Sequence, residues 1–265
     1  MGGAVEVTAD GRRLQVERQW VPEAPVALEF NGVAYAVMMA TPTDLADFAT
    51  GFAIGEGLAT TATQVLDVAV AEVENGWVVR TTVEGLGAEK LGERVRARVA
   101  ESSCGLCGIE NLEAVARPLP AVAPHEPIAS EAIFRALSHL RDHQPLGRAT
   151  GAAHAAAHVA LDGSLVHVRE DVGRHNALDK LVGVSARSGK PLATGFVLST
   201  ARCSYEIVEK AVRAGATTLV TVSLPTSMAV KRAQAAGLSL WALARDDSVL
   251  AVAGPAAAAQ ERLAD

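Results

Sequence analysis

A chain of 265 residues, 49% apolar and 20% charged, is long enough for one large domain or two ordinary ones and has the composition of a soluble globular protein. Its net charge of −6 argues against a nucleic-acid surface, no apolar run approaches the roughly 20 residues that span a bilayer, and the first residues lack the basic start and apolar core of a signal peptide. With only 4% aromatic residues the core falls to Ala, Val and Leu, and three cysteines do not make a disulfide framework, so a reducing cytoplasm is the expected setting.

In chain order, residues 12–20 alternate weakly, and residues 26–30 and 33–39 flank Asn31-Gly32, a type I′ hairpin signal. Thr41-Pro42-Thr43-Asp44 predicts a helix start with Thr41 as N-cap, Pro42 in the first position and Asp44 at the positive end. Leu45, Phe48, Phe52 and Leu58 form its buried stripe. Gly51, Gly55 and Gly57 are dense for a helix and point to close packing against a neighbouring backbone rather than to a ligand loop. A second hairpin is predicted from residues 65–73 and 77–83 around Asn75-Gly76. It is followed by a charged helix over residues 88–99, read as a solvated face.

The stretch Glu101-Ser102-Ser103-Cys104-Gly105-Leu106-Cys107-Gly108 holds two of the three cysteines. A thiol reacts as thiolate, and its pKa falls in a Cys-x-x-Cys loop or at a helix N-terminus. Residues 109–115 have helical spacing, so both conditions can apply. Three readings fit: reactive thiols, half of a structural zinc site completed by histidines, and an inert pair. A thioredoxin-like pair would follow a strand, whereas this one follows a predicted helix.

Pro118, Pro120, Pro124 and Pro127 mark residues 117–127 as a semi-rigid linker, dividing the chain into an α+β part (1–116) and an α/β part (128–265). A helix capped by Ser130 is predicted over residues 130–143, with Ile133, Phe134, Leu137 and Leu140 as its stripe. A hairpin then joins residues 155–161 to 164–168 across Asp162-Gly163. Helices over 173–188, 204–214 and 225–236 alternate with strands over 194–199, 217–223 and 238–244, which predicts a parallel sheet covered on both faces.

In such sheets ligands bind outside the carboxyl ends of the strands. Three strand ends are polar: Ser199-Thr200-Ala201-Arg202-Cys203-Ser204, Ser223-Leu224-Pro225-Thr226-Ser227 and Arg245-Asp246-Asp247-Ser248. Ser227 and the other hydroxyls at helix starts, with Arg202 and Arg245, suit a phosphate or pyrophosphate; Asp246 and Asp247 suit a base or ribose. Ordinary N-capping explains each hydroxyl singly, and neither dinucleotide nor Walker glycine fingerprint is present. A second cluster gathers His154, His158, His167 and His175 with Arg169, Glu170, Asp171 and Arg174. His158 and His167 read as structural; His175 and Asp171 are harder to dismiss, because so many charges are costly to bury without a purpose. Cys203 reads as a small buried residue.

Taken together, Ser103–Gly108, Thr150–His154, Arg169–Lys180, the run Ser204-Tyr205-Glu206-Ile207-Val208-Glu209-Lys210-Ala211 and Pro225–Val230 resemble the formate dehydrogenase accessory sulfurtransferase family, FdhD. The resemblance implies a three-layer α/β/α cytidine-deaminase-like core with a smaller N-terminal α+β domain, without the deaminase zinc site, usually as a homodimer. It implies sulfur taken from a cysteine desulfurase as a persulfide on Cys104, with Cys107 as its partner. That sulfur passes to the molybdenum or tungsten of a bis(molybdopterin guanine dinucleotide) cofactor before insertion into the catalytic subunit of formate dehydrogenase. The family's late cofactor-binding run maps onto Leu243-Ala244-Arg245-Asp246-Asp247-Ser248, with Leu243 where an aromatic is usual. His175 is the expected proton carrier, GDP-like ligands should fit the nucleotide site, and no structural metal, nucleic acid or membrane is expected. The alternatives are a zinc-dependent deaminase-type hydrolase and a non-catalytic cofactor chaperone. The residues already speak against the hydrolase, since Ala156 stands two places after His154 and Ser103 precedes Cys104, where a deaminase needs Glu and Pro.

Overall fold

The computed structural model describes residues 2–87, 91, 92, 117–255 and 257; Cys104, Cys107 and most of the helix predicted over 88–99 lie outside them. Strands β1 (Gly2–Val7) and β2 (Arg13–Arg18) form an antiparallel hairpin of their own. Strands β3 (Ala24–Phe30), β4 (Val33–Ala40), β5 (Val65–Val73) and β6 (Gly76–Val83) form a second sheet in the order β4-β3-β6-β5. The Asn31-Gly32 turn takes φ 48° and 78°, as a type I′ hairpin requires. The alternate residues Val26, Leu28 and Phe30 of β3 face the core.

Helix α1 (Leu45–Gly55) lies under this sheet. Thr41 is not its N-cap: the helix starts at Leu45 and Asp44, at φ 53°, occupies the cap position. The polar groups of Thr41 are engaged with a segment 130 residues away instead, so they cannot serve the helix end. The expected stripe of Leu45, Phe48, Phe52 and Leu58 is buried.

The C-terminal part opens with α2 (Ser130–Leu140), whose N-cap is Ala129 rather than Ser130, and the short α3 (Pro145–Thr150). Ser130 Oγ bonds to Glu131 instead of a helix N–H. Strands β7 (His154–Ala160) and β8 (Leu165–Asp171) precede α4 (Arg174–Arg187). Strand β9 (Gly195–Ser199), α5 (Tyr205–Arg213), β10 (Thr218–Thr221), α6 (Ser227–Ala236), β11 (Ser239–Ala242) and β12 (Leu250–Ala253) complete the chain. Gly237 closes α6 at φ 76°.

The main sheet has the order β12-β11-β10-β9-β7-β8. It is mixed, which corrects the expectation of a parallel sheet. Only β9, β10 and β11 run parallel, whereas β7 is antiparallel to β9 and to β8, and β12 is antiparallel to β11. Connections without a helix, such as the Asp162-Gly163 turn and the loop after β11, return the chain antiparallel. One face, with Ala156, Val197, Leu219 and Leu240, packs into a core shared with α1, α4, α5, α6 and the four-stranded sheet. The other face, with Ala157, Val159, Phe196 and Leu198, packs on Ile133, Ala136 and Leu140 of α2, giving three α/β/α layers.

Helices α1 and α4 touch through glycine. A Cβ on Gly51 would lie 1.7 Å from the Asp179 carbonyl oxygen, and one on Gly183 would lie 1.8 Å from that of Asp47. Of the three glycines expected to pack closely, Gly51 does so against a backbone, Gly55 faces the Asp179 and Lys210 side chains, and Gly57 lies past the helix with open space around it. The proline-rich stretch is pinned along this body, with Val122 N–H donating to the Ala236 carbonyl at 2.8 Å and His125 Nε2 at 2.8 Å from Ser239 Oγ.

Candidate functional site

The strand register places one set of ends together. His154 at the start of β7 pairs with Asp171 at the end of β8, Ala156 pairs with Ser199 at the end of β9, and Ser199 pairs with Thr221 at the end of β10. The N-termini of α4, α5 and α6 follow these ends at Gly173, Ser204 and Thr226. Three helix starts on one sheet edge present N–H groups and positive dipole ends to the same side.

Backbone bonds knit the loops at this edge. Thr200 N–H donates to the Ala155 carbonyl at 3.0 Å, and Thr226 N–H to that of Cys203 at 3.0 Å. Val222 N–H donates to the Ser199 carbonyl at 3.0 Å, and Ala244 N–H to that of Thr221 at 3.1 Å. Arg245 Nη1 donates to the Val222 carbonyl and, at 3.2 Å, to that of Ala244. Thr226 caps α6 through Ala229 N–H at 3.2 Å, so ordinary capping accounts for that hydroxyl.

Two groups of side chains result. The first contains His154, Arg174, His175, Arg202, Ser204 and Glu206. His175 Nε2 lies 3.5 Å from Ser204 Oγ and 3.5 Å from Glu206 Oε2, and Ser204 Oγ donates to the same carboxylate oxygen at 2.9 Å. The hydrogen bond from His175 leads in holding the Glu206 carboxyl down at about 2, with Ser204 assisting against burial. Burial leads in pushing the His154 pKa below its ordinary value, and the charges of Arg174 and Arg202 add to it, so its imidazole is neutral at neutral pH. Arg174 Nε is buried with no hydrogen-bond partner. Arg202 is exposed. The group thus sets an exposed arginine, Arg202, beside Arg174 with its buried, unpartnered Nε, chemistry suited to an anion.

The second group is the run after β11. Ala244, Arg245, Asp246 and Asp247 line a cleft of about 490 Å³ with Leu137 and Val222. Leu243, just before the lining residue Ala244, takes φ 49°, uncommon for a non-glycine residue. Ser248 Oγ donates to Asp247 at 3.0 Å, and Arg245 N–H to the Ser248 carbonyl at 2.8 Å. Val222 ties this run to the sheet, its N–H donating to Ser199 at the end of β9 and its carbonyl accepting from Arg245. Ser227 is exposed at the start of α6.

Beneath the edge lies a buried ion pair, Lys180 Nζ to Asp171 Oδ2 at 2.6 Å. The same Asp171 oxygen accepts from Thr41 N–H at 3.0 Å, and its partner oxygen from Gly173 N–H at 2.7 Å and Asn176 Nδ2 at 3.0 Å. A second buried pair joins Asp179 to Lys210 at 2.8 Å, with Glu56 at 3.1 Å from the same ammonium. Sequence reading singled out Asp171 but missed Thr41 as its partner, because a contact across 130 residues leaves no local pattern. It also missed Asp47, which accepts from Arg169 at 2.7 Å and Arg187 at 2.8 Å. Cys203 is wholly buried, and burial pushes its thiol up to about 12. His158 is wholly buried and His167 Nε2 lies 2.9 Å from Ser188 Oγ, away from the edge, in keeping with structural roles.

The FdhD/NarQ family model matches residues 21–258, a span that contains Cys104 and Cys107. The chain is 45% identical to the sulfur carrier protein FdhD of Variovorax paradoxus over 90% of its own length and 86% of the relative. It is 44% identical to the protein of that name from Cupriavidus necator, covering 88% and 81% of the two chains. A solved structure described as a formate dehydrogenase accessory protein, from Desulfotalea psychrophila, superposes with a TM-score of 0.75 over 96% of each chain at 23% identity, which supports the fold. On the family match and the relatives' extent, this chain belongs to the FdhD/NarQ family.

Proposed function

We propose that this chain is a sulfur carrier for the maturation of formate dehydrogenase, acting as a persulfide sulfurtransferase. The observation that carries this reading is its 41–45% identity, over most of its length, to relatives named as sulfur carriers. The Cys104 thiolate attacks the outer sulfur of a cysteine desulfurase persulfide. The donor S–S bond breaks, a new one forms on Cys104, and the donor leaves as thiolate with no net change of oxidation level. Cys107 stands by as the second thiol of the pair. Delivery as sulfide takes two electrons; a reduced molybdenum or tungsten acceptor supplies them, and Cys104 leaves as thiolate. No helix among the described residues is long and apolar enough to cross a membrane, and the setting proposed is the cytoplasm.

The cargo is a bis(molybdopterin guanine dinucleotide) cofactor, bound at the sheet edge. Its phosphates belong beside Arg174 and Arg202 at the starts of α4 and α5, with Ser227 at the start of α6. There Arg174 Nε is a buried donor without a partner, which a bound anion would satisfy. The carboxylates of Asp246 and Asp247 repel phosphate and suit the N–H groups of a guanine in the cleft beside Ala244, Arg245 and Ser248. Leu243 offers an aliphatic surface rather than a ring for stacking. His175, bonded to Ser204 and Glu206, carries the proton at the transfer step. A homodimer that receives the sulfur and serves the catalytic subunit of formate dehydrogenase completes the reading.

The test is intact-protein mass spectrometry after incubation with a cysteine desulfurase and cysteine. A reductant-labile gain of one sulfur atom on wild type, lost in Cys104→Ala, is the expected result. No gain on wild type, with the desulfurase active on another acceptor, would sink the proposal.

A further inference from the structure

Asp171 and Lys180 are both 0% exposed and cannot touch a ligand. A buried ion pair is also a poor device for stability, since an apolar pair of similar volume often serves as well or better. Their placement suggests another use. Gly173, the N-cap of α4, has no side chain to cap the helix, and Asp171 Oδ1 instead accepts the N-cap residue's own N–H, that of Gly173, at 2.7 Å. Asn176 is held to the same oxygen at 3.0 Å and to the Met39 carbonyl at 2.8 Å. A Cβ at Gly173 would lie 2.6 Å from Asn176 Nδ2, so a larger residue there would displace the Asn176 amide from Asp171. From the other side Thr41 Oγ1 accepts Val172 N–H at 3.1 Å, and Lys180 Nζ donates to the Thr41 carbonyl at 2.9 Å. Residues 171–176 are thus gripped at both ends, and the two side chains left between the grips, Arg174 and His175, are the partly exposed ones of the candidate site.

We propose that Asp171 and Lys180, with Thr41, are positioning residues: they fix the first turn of α4 so that Arg174 and His175 face the anionic part of the cargo. The proposal rests on the reading of this edge as the anion-binding site. Positioning through the backbone explains why charges this costly to bury sit directly behind the two side chains rather than beside them.

Removing one member alone strands a buried charge, so the variant of choice is the charge-free double substitution Asp171→Asn/Lys180→Met in the full chain. Two quantities are measured: the affinity for inorganic pyrophosphate by calorimetry, and the His175 ring resonance by NMR, assigned with His175→Gln. Wild type is expected to bind pyrophosphate. The double variant should fold, bind at least tenfold more weakly and show a displaced His175 resonance. A folded double variant with wild-type affinity and an unmoved resonance overturns the proposal. If wild type itself does not bind pyrophosphate, the reading of the site fails, and the His175 resonance alone decides the positioning claim. Should the double variant not fold, Thr41→Val takes its place, with Thr41→Ser as the conservative control. Displacement of the resonance in the valine variant but not in the serine variant supports positioning, and no displacement in either overturns it.

Discussion

His175 Nε2 and Glu206 Oε2 stand 3.5 Å apart, joined through Ser204 Oγ, at the meeting of the α4 and α5 N-termini. The carboxylate is held at about 2, below its ordinary 4.5. A depressed carboxylate stabilises the fold above its unfolded pKa, and the contribution is lost as pH falls through the folded value. The stability of wild type should therefore decline between pH 4.5 and about 2 through this group. With 43% of the Glu206 side chain exposed, solvent screening keeps the effect under about 1 kcal/mol. Urea unfolding of Glu206→Gln across that range should show a flatter pH profile than wild type; identical profiles would contradict the assignment.

The imidazole of His158 is wholly buried in β7 with neither ring nitrogen partnered among protein groups. Burial first, and the charges of His167 and Lys190 second, lower its pKa to about 4 from 6.5. The unfolded state then binds the extra proton, so stability is full above pH 6.5 and falls as pH drops toward 4. His158→Leu should remove that acid sensitivity and, by deleting an unsatisfied polar ring, add about 1 kcal/mol at neutral pH. A loss of stability in thermal unfolding at pH 7 would show that the ring has a partner.

The contact of α1 with α4 admits no Cβ at Gly51 or Gly183. Gly51→Ala or Gly183→Ala must push two backbones apart, at a cost of about 3 kcal/mol. Gly57, with open space around it, is the control for space alone, although its φ of 68° still favours glycine. Chemical denaturation should rank the Gly51 and Gly183 variants well below the Gly57→Asn variant.

Cys203 should stay unlabelled by iodoacetamide in the native protein and react only in denaturant, because its thiol is buried and raised to about 12. Cys203→Ala should leave sulfur loading unchanged. Loss of loading in a folded Cys203→Ala protein would bring that cysteine into the chemistry.

Leu243 holds a left-handed backbone immediately before Ala244, which lines the cleft. Leu243→Val, β-branched, should cost about 1–2 kcal/mol more than Leu243→Gly, which adopts φ 49° freely. Thermal unfolding of the two variants compares them directly; equal values would mean that the turn relaxes without strain.

Read alone, the amino-acid sequence specified the local units. Asn31-Gly32, Asn75-Gly76 and Asp162-Gly163 announced three hairpins, and short alternating apolar runs announced the helices and strands around β9, β10 and β11. It also showed the motif run from Arg169 to Lys180 on which the family resemblance rests, because turn chemistry, periodicity and motif spacing are properties of neighbouring residues. The mixed main sheet came from the three-dimensional packing, since strand direction follows from which ends the fold brings together. Only that packing set Thr41 on Asp171 and Lys180 instead of on its own helix, and Asp47 on two arginines of the other half. Those buried polar groups found their partners more than 120 residues away, because a charge taken out of water must be met by whatever the fold carries to it.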